Sequence, residues 1–196
     1  FQSAIFNGNI SGWDTSNVKN MASMFQFNSA FNQSIGIWNV NSVTDMRYMF
    51  EGTIFNEIIS GWVTSKVEYM DGMFESAKFN QPIGNWDVSS VSSMSRMFIY
   101  NPNFNQPLSS WIVSEVTDMR LLFHGASKFN QDISRWNVSK VTNMYGTFWN
   151  AASFNNYLGD WVTTRVTNFA NIFQGATAFQ SKYQCATSTS YSVDPK

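Results

Sequence analysis

The chain has 196 residues and a formal charge of −1, and 13% of its residues are charged whereas 17% are aromatic. A near-neutral chain without a basic patch is poorly suited to holding a phosphate backbone, so these figures disfavour a nucleic-acid partner. No apolar run reaches the ~20 residues of a membrane-spanning helix, so we expect no direct insertion of this segment into a bilayer. The single Cys185 excludes an internal disulfide framework and a cysteine-based zinc site.

Tryptophans spaced by 24 or 25 residues divide the chain into seven similar units, and such a period predicts a repeat architecture. A Phe–Asn pair begins seven residues before each Trp, a Val lies five residues after it and a Phe twelve after it. We predict a single repeat domain over 1–180, then a C-terminal cap and flexible tail over 181–196. Because the chain opens in the middle of a unit, we expect a fragment or processed product. The seven are Trp13, Trp38, Trp62, Trp86, Trp111, Trp136 and Trp161.

Each unit combines two hydrophobic periods. In 35–41, Trp38 and Val40 alternate with outward residues, which is the period of a short strand with one buried face. In 43–50, Val, Met and Phe recur at helical spacing, and Thr44 stands where a helix N-cap would lie. A strand, a turn, a helix of about two turns and a return loop in ~25 residues predict one coil of an α/β solenoid with parallel strand pairing.

These residues also resemble a known family. Ile133, Trp136 and Val138 occupy the Leu-x-x-Leu-x-Leu frame of a leucine-rich repeat, and "FNQDISRWNVSKVTNMYGTFWNAAS" resembles the repeat of BspA-like surface proteins and mycoplasma-type lipoproteins. The resemblance covers residues 1 to about 180, although Val stands where the ordinary leucine-rich repeat has Asn. It implies leucine-rich-repeat-like right-handed coils, each with one short parallel strand and one short helix. It also implies a secreted or surface-attached protein engaged in adhesion or assembly, and no catalytic residue.

The asparagine after the first Phe of each unit invites two interpretations, a row of ligand-binding groups or a structural ladder. Identity in all seven units favours the ladder, in which each buried amide satisfies backbone groups at a turn. The predicted ladder is Asn7, Asn32, Asn56, Asn80, Asn105, Asn130 and Asn155.

Other groups that suggest chemistry have a simpler explanation. The Trp and Met columns recur with the period of the core, which disfavours a sugar-stacking row and a copper site. His124 is the only histidine, and Asp71 and Asp118 have no catalytic partner in the pattern. We therefore predict no enzyme, no catalytic residue, no metal and no cofactor. Trp149 lies outside the Trp column and is a modest contact candidate.

If the inward columns are scaffold, binding should use the columns that vary on either side of each Trp. These residues are predicted to share the outer face of the sheet, and their mixed polarity suits a protein interface. Two sequons, at Asn9 and Asn137, are candidate glycosylation sites, although chance occurrence in an Asn- and Ser-rich chain is the better explanation of them. The predicted binding face is Asp14, Ile37, Asn39, Val63, Asn85, Asp87, Ile112, Arg135, Asn137, Asp160 and Val162.

The sequence thus predicts a non-enzymatic repeat scaffold, extracellular or on the cell surface, which presents this face to a protein or glycan of a cell surface or extracellular matrix. One alternative is a structural subunit of an extracellular filament or sheath that self-associates through the ends of the repeat array. A third is an ice- or sugar-binding module, for which exposed aromatic side chains or a flat Thr row would be the signal.

Overall fold

The structure is a computed structural model and describes residues 1–183. One helix, α1 (Thr177–Tyr183), follows the last repeat. Its Phe179 ring stacks on Phe173 and Phe154, with centroids 4.1 and 5.8 Å apart, so the helix extends the aromatic core by one step. The predicted C-terminal cap and tail, 181–196, falls outside the described residues except for 181–183, which belong to α1.

Successive repeats stack in parallel through a bridge seven residues after each Trp. Around Asp45, for example, the N–H of Thr44 donates to the carbonyl of Lys19 (2.8 Å) and the N–H of Met21 donates to the carbonyl of Asp45 (2.9 Å). These bridges are single residues, and the described part of the chain has no longer strand. The bridged pairs are Asn20–Asp45, Asp45–Tyr69, Tyr69–Ser93, Ser93–Asp118, Asp118–Asn143 and Asn143–Asn168.

The segment around each Trp, predicted to be the strand, is a turn instead. The N–H of Trp38 donates to the carbonyl of Ile35 at 3.0 Å, and the same bond closes this turn in every repeat. The in–out alternation of 35–41 therefore comes from a folded loop, and the parallel pairing lies further along the chain. The predicted binding residues beside each Trp consequently lie on turns and not on a sheet face.

The segment 43–50, predicted to be a helix, consists of a bridge and turns. The N–H groups of Met46, Tyr48 and Phe50 donate to carbonyls of the next repeat at 2.8–3.0 Å. An α-helix would have used these groups within the repeat. Tyr48 has a left-handed φ of 56°, which reverses the local curvature. Thr44 is not a helix N-cap, because its hydroxyl donates to the carbonyl of Lys19. The broader assignment to an α/β solenoid remains a prediction.

The core consists of aromatic columns that run along the stack, as the conserved spacing within the chain predicted. The Phe25 ring at the end of the first repeat stacks on the Phe31 ring at the start of the second at 3.7 Å, and each ring also stacks on its own counterpart one repeat further on. From the second repeat to the seventh, the indole N–H donates to the carbonyl three residues before the preceding Trp at 3.0–3.2 Å. These bonds satisfy the polar edge of each buried Trp.

The stack widens towards its Trp side. Neighbouring Trp rings whose planes lie within 7° of each other have centroids 6.2–6.5 Å apart. Paired parallel backbones lie only ~4.8 Å apart. The distance between successive repeats at the Trp column is therefore larger than the spacing expected at the bridges. This difference predicts an array that curves with its bridges on the inner side.

Candidate binding surfaces

The turn face comprises the residues directly before and after each Trp, and it includes every predicted binding residue. All eleven of those residues are exposed. On the last two repeats, four of them line an open depression of about 520 Å³, which has Trp136 at its base. The four are Arg135, Asn137, Asp160 and Val162.

The Asp or Asn residues that directly follow a Trp stabilise the local turn. Asp14, Asn39, Asp87 and Asn137 each accept a hydrogen bond from the backbone N–H two residues later, at 3.0–3.2 Å. The hydroxyl of Ser89 also donates to Asp87, and this bond and the backbone bond lower the pKa of that carboxyl. These are Asx turns, in which the side chain caps the loop. The spacing Asx-x-Ser or Asx-x-Asn was the available signal, and sequence reasoning did not use it.

Three repeats lack this cap. Val63, Ile112 and Val162 occupy the same position after the Trp, where a hydrocarbon side chain accepts no hydrogen bond. They are 52–61% exposed, so they do not contribute to the core either. A position that gives up a local hydrogen bond to expose an apolar group is typical of a functional surface.

The asparagine column forms a continuous ladder along the stack. The Oδ1 of each Asn accepts the backbone N–H of the next, for instance Asn80 with Asn105 at 2.9 Å, through six steps from Asn7 to Asn155. The side chains are exposed or half-buried, not buried as expected. Asn155 ends the ladder, and its shielded Oδ1 has no hydrogen-bond partner.

The two candidate glycosylation sites lie on the surface. The Oδ1 of Asn9 accepts the N–H and the hydroxyl of Ser11, at 2.9 and 2.8 Å. Asn137 is one of the turn caps, with its Oδ1 3.2 Å from the N–H of Ser139.

The paired face, formed by the residues seven to fourteen positions after each Trp, is a second variable surface, of which sequence reasoning singled out only Trp149 as a contact candidate. In the second to fourth repeats it is charged. The Arg96 guanidinium forms two bonds with the buried Glu75, at 2.9 and 2.5 Å, and Arg47 pairs with Asp45 at 2.6 Å. Burial raises the pKa of Glu51, and the nearby Glu75 carboxylate adds to this shift.

In the fourth to sixth repeats the paired face becomes aromatic. We call Tyr100, His124, Tyr145 and Trp149 the aromatic patch. The His124 ring contacts Tyr100 and Trp149, each with centroids 4.7 Å apart, and Tyr145 stands nearly perpendicular to Trp149 at 6.3 Å. Tyr100 is 55% exposed. The columns nine, thirteen and fourteen residues after the Trp vary from repeat to repeat, and that variation was the signal for this surface.

His124 links the patch to the backbone. Its Nδ1 lies 2.9 Å from the carbonyl of Trp149, and its Nε2 lies 2.9 Å from the Tyr100 hydroxyl. A carbonyl only accepts, so Nδ1 carries the proton and the neutral ring accepts the tyrosine O–H at Nε2. Burial lowers the pKa of His124, which favours this neutral form.

Bulky side chains on the paired face rest on glycines of the next repeat. A Cβ added to Gly125 would lie 2.8 Å from the Tyr100 ring, and Phe27 meets Gly52 at the same distance. Gly125 has a φ of 71°, and Tyr100 one of 52°, so both lie in the left-handed region. The absent side chain of Gly125 thus makes room for the ring of Tyr100.

Two kinds of feature are not found in residues 1–183. These residues contain no group of three or more His, Cys, Asp or Glu side chains placed to hold a metal ion. Within the same range, no helix has the length and apolar character required to cross a membrane.

Comparison with known proteins gives one match. The family model described as "Mycoplasma protein of unknown function, DUF285" matches residues 1–83 and again residues 76–186, so that two tandem copies cover almost the whole chain. No curated protein and no solved structure matches the chain.

Proposed function

This chain belongs to the DUF285 family, and we propose that it is a non-enzymatic repeat scaffold that binds a partner protein through its turn face. We place it at the surface of the cell or outside it, a location that its likeness to mycoplasma-type surface repeats supports. The scaffold role rests on a core that is repeated in every unit, whereas the surface columns differ between units. Stability is shared between neighbouring repeats, so surface residues are free to vary.

The observation that carries this proposal is the exposed apolar group at the uncapped turns. Val63, Ile112 and Val162 stand where an Asx residue would stabilise the loop, and they expose about half of their surface or more. Apolar side chains surrounded by polar neighbours are characteristic of protein interfaces. The depression beside Val162 would receive a projecting side chain of the partner.

Replacing all three residues with Asn tests the proposal. Each Asn would supply the missing cap, so we expect each substitution to raise the free energy of unfolding by about 0.5–1.5 kcal/mol. We expect the triple variant to lose binding to immobilised cell-surface and matrix proteins. Asp87→Asn, which keeps its cap, is the matched control and should bind as wild type. The proposal fails if wild-type protein binds none of these proteins, or if the more stable triple variant binds as well as wild type.

A second candidate function is end-to-end assembly into a filament. It is favoured by the parallel bridges, which pair each repeat with the next through backbone groups, and by the stacked Trp column that begins at Trp13, since both can continue from one chain to another. Light scattering over a concentration series tests this candidate. Growth into long particles that Trp13→Ser abolishes would support it, whereas a monomer at every concentration would refute it.

A further inference from the structure

We propose that the aromatic patch on the paired face is a binding site for a neutral glycan chain. Tyr100, His124 and Trp149 come from three successive repeats, and each ring contacts the next at 4.7 Å. His124, in the middle, is buried, so the accessible part of the patch consists of the exposed Tyr100 and the half-buried Trp149, which follow one another along the axis of the stack. A surface of this form suits a linear ligand made of ring-shaped units.

The rings are held in place before any ligand arrives. Tyr100 rests on Gly125 and donates its hydroxyl proton to His124, while the other ring nitrogen of His124 donates to a backbone carbonyl. Tyr145 packs edge-on against Trp149, at an interplanar angle of 89°. Binding to such rings immobilises few side chains, which lowers the entropic cost of association.

The polarity of the patch selects the class of ligand. Burial favours the neutral form of its one titratable base, His124, and the Arg96 guanidinium, whose charge also acts on His124, is bonded to the buried Glu75 carboxylate. Arg120, in the fifth repeat, lies 3.6 Å from the Asp118 carboxylate, so this guanidinium also has a carboxylate partner. The patch therefore offers little unpaired charge for binding an ionic ligand.

A sugar ring has an apolar C–H face and a rim of hydroxyls, and the patch offers partners for both. Tyr100 and Trp149 supply π faces. Asn171 borders the patch with an amide group that can donate and accept hydrogen bonds, and its Nδ2 lies 3.5 Å from the Tyr145 hydroxyl. A protein hot spot would instead need a surrounding ring of contacts that excludes water.

The test is an array of immobilised neutral and acidic glycans probed with the labelled 196-residue chain. The tightest neutral glycan is then titrated calorimetrically against wild type, Tyr100→Ala and Trp149→Ala. We expect each variant to bind at least about tenfold more weakly. Val63→Asn, on the turn face, should bind like wild type. Thermal unfolding followed by circular dichroism identifies misfolded variants, and Trp149→Phe and Tyr100→Phe, which keep a ring, then replace them and should show a smaller loss.

Several results would overturn the inference. They are binding to no neutral glycan, binding only to acidic glycans, and unchanged binding by folded Trp149→Ala and Tyr100→Ala proteins. If the patch instead binds a protein, the chain should bind no glycan on the array, and the patch variants should lose binding to the turn-face partner. This site does not depend on the turn face, so either proposal can fail while the other stands.

Discussion

The contact between Tyr100 and Gly125 predicts a specific destabilisation when Gly125 becomes Ala. Adopting the left-handed φ of 71° costs a residue with a Cβ roughly 1–2 kcal/mol. The new Cβ would also lie 2.8 Å from the Tyr100 ring, which must move away from His124 at a further cost of about 1 kcal/mol. We therefore expect the free energy of unfolding to fall by about 2–3 kcal/mol.

The assay is urea denaturation followed by tryptophan fluorescence and by circular dichroism. Gly12→Ala is the matched control, because a Cβ there meets no atom within 4 Å and the φ is not left-handed. We expect Gly12→Ala to change stability by less than about 0.5 kcal/mol.

A double-mutant cycle with Tyr100→Ser separates the two costs. In the Tyr100→Ser background, Gly125→Ala should still cost the backbone strain of the left-handed φ but no longer the clash with the Tyr100 ring. The cycle should therefore give a coupling free energy of about 1 kcal/mol. Equal costs for Gly125→Ala and Gly12→Ala would refute the reasoning. A coupling of zero would show that the ring does not occupy the space left by the glycine.

Two further predictions concern hydrogen bonds. Because the pKa of His124 is below its ordinary 6.5 in the folded state, the unfolded state binds the proton first and stability should fall as the pH drops below about 6.5. His124→Gln should flatten this dependence in chemical denaturation at pH 5.5–7.5, and equal pH slopes would contradict us. Asn80→Ala should lower the free energy of unfolding by about 1–2 kcal/mol, measured by thermal unfolding. Asn155→Ala, whose Oδ1 has no partner among the described residues, should lower it by less than about 0.5 kcal/mol. Similar losses for the two variants would exclude the ladder as a source of stability.

The sequence identified the repeat boundaries and the core, because buried positions are occupied by the same residue type in every unit. It misassigned the local structure for a physical reason. The turn closed by Trp38 and Ile35 directs residues alternately inward and outward, as a strand does. The turns after Asp45 direct Met46, Met49 and Phe50 inward at intervals of three and four residues, as a helix does, although the N–H groups of Met46 and Phe50 donate to the next repeat.

The candidate surfaces were predictable in part. The residues beside each Trp are exposed as expected. Turn capping explains the Asp or Asn at four of the positions directly after a Trp. The aromatic patch went unnoticed because His124 and Tyr100 are separated by a whole repeat in the sequence. Only the stacking register brings side chains 24 residues apart within 2.9 Å.

The indole bond that reaches back to the preceding repeat has a consequence for how the chain acquires its shape. Trp86 needs the carbonyl of Ile59, and Trp111 in turn needs that of Ile83, so each unit provides the acceptor on which the next one closes. During synthesis the acceptor always leaves the ribosome before its donor. The chain can therefore begin to order itself from the amino-terminal end while it is still growing, and each unit is completed when the next one supplies the carbonyls for its backbone N–H groups.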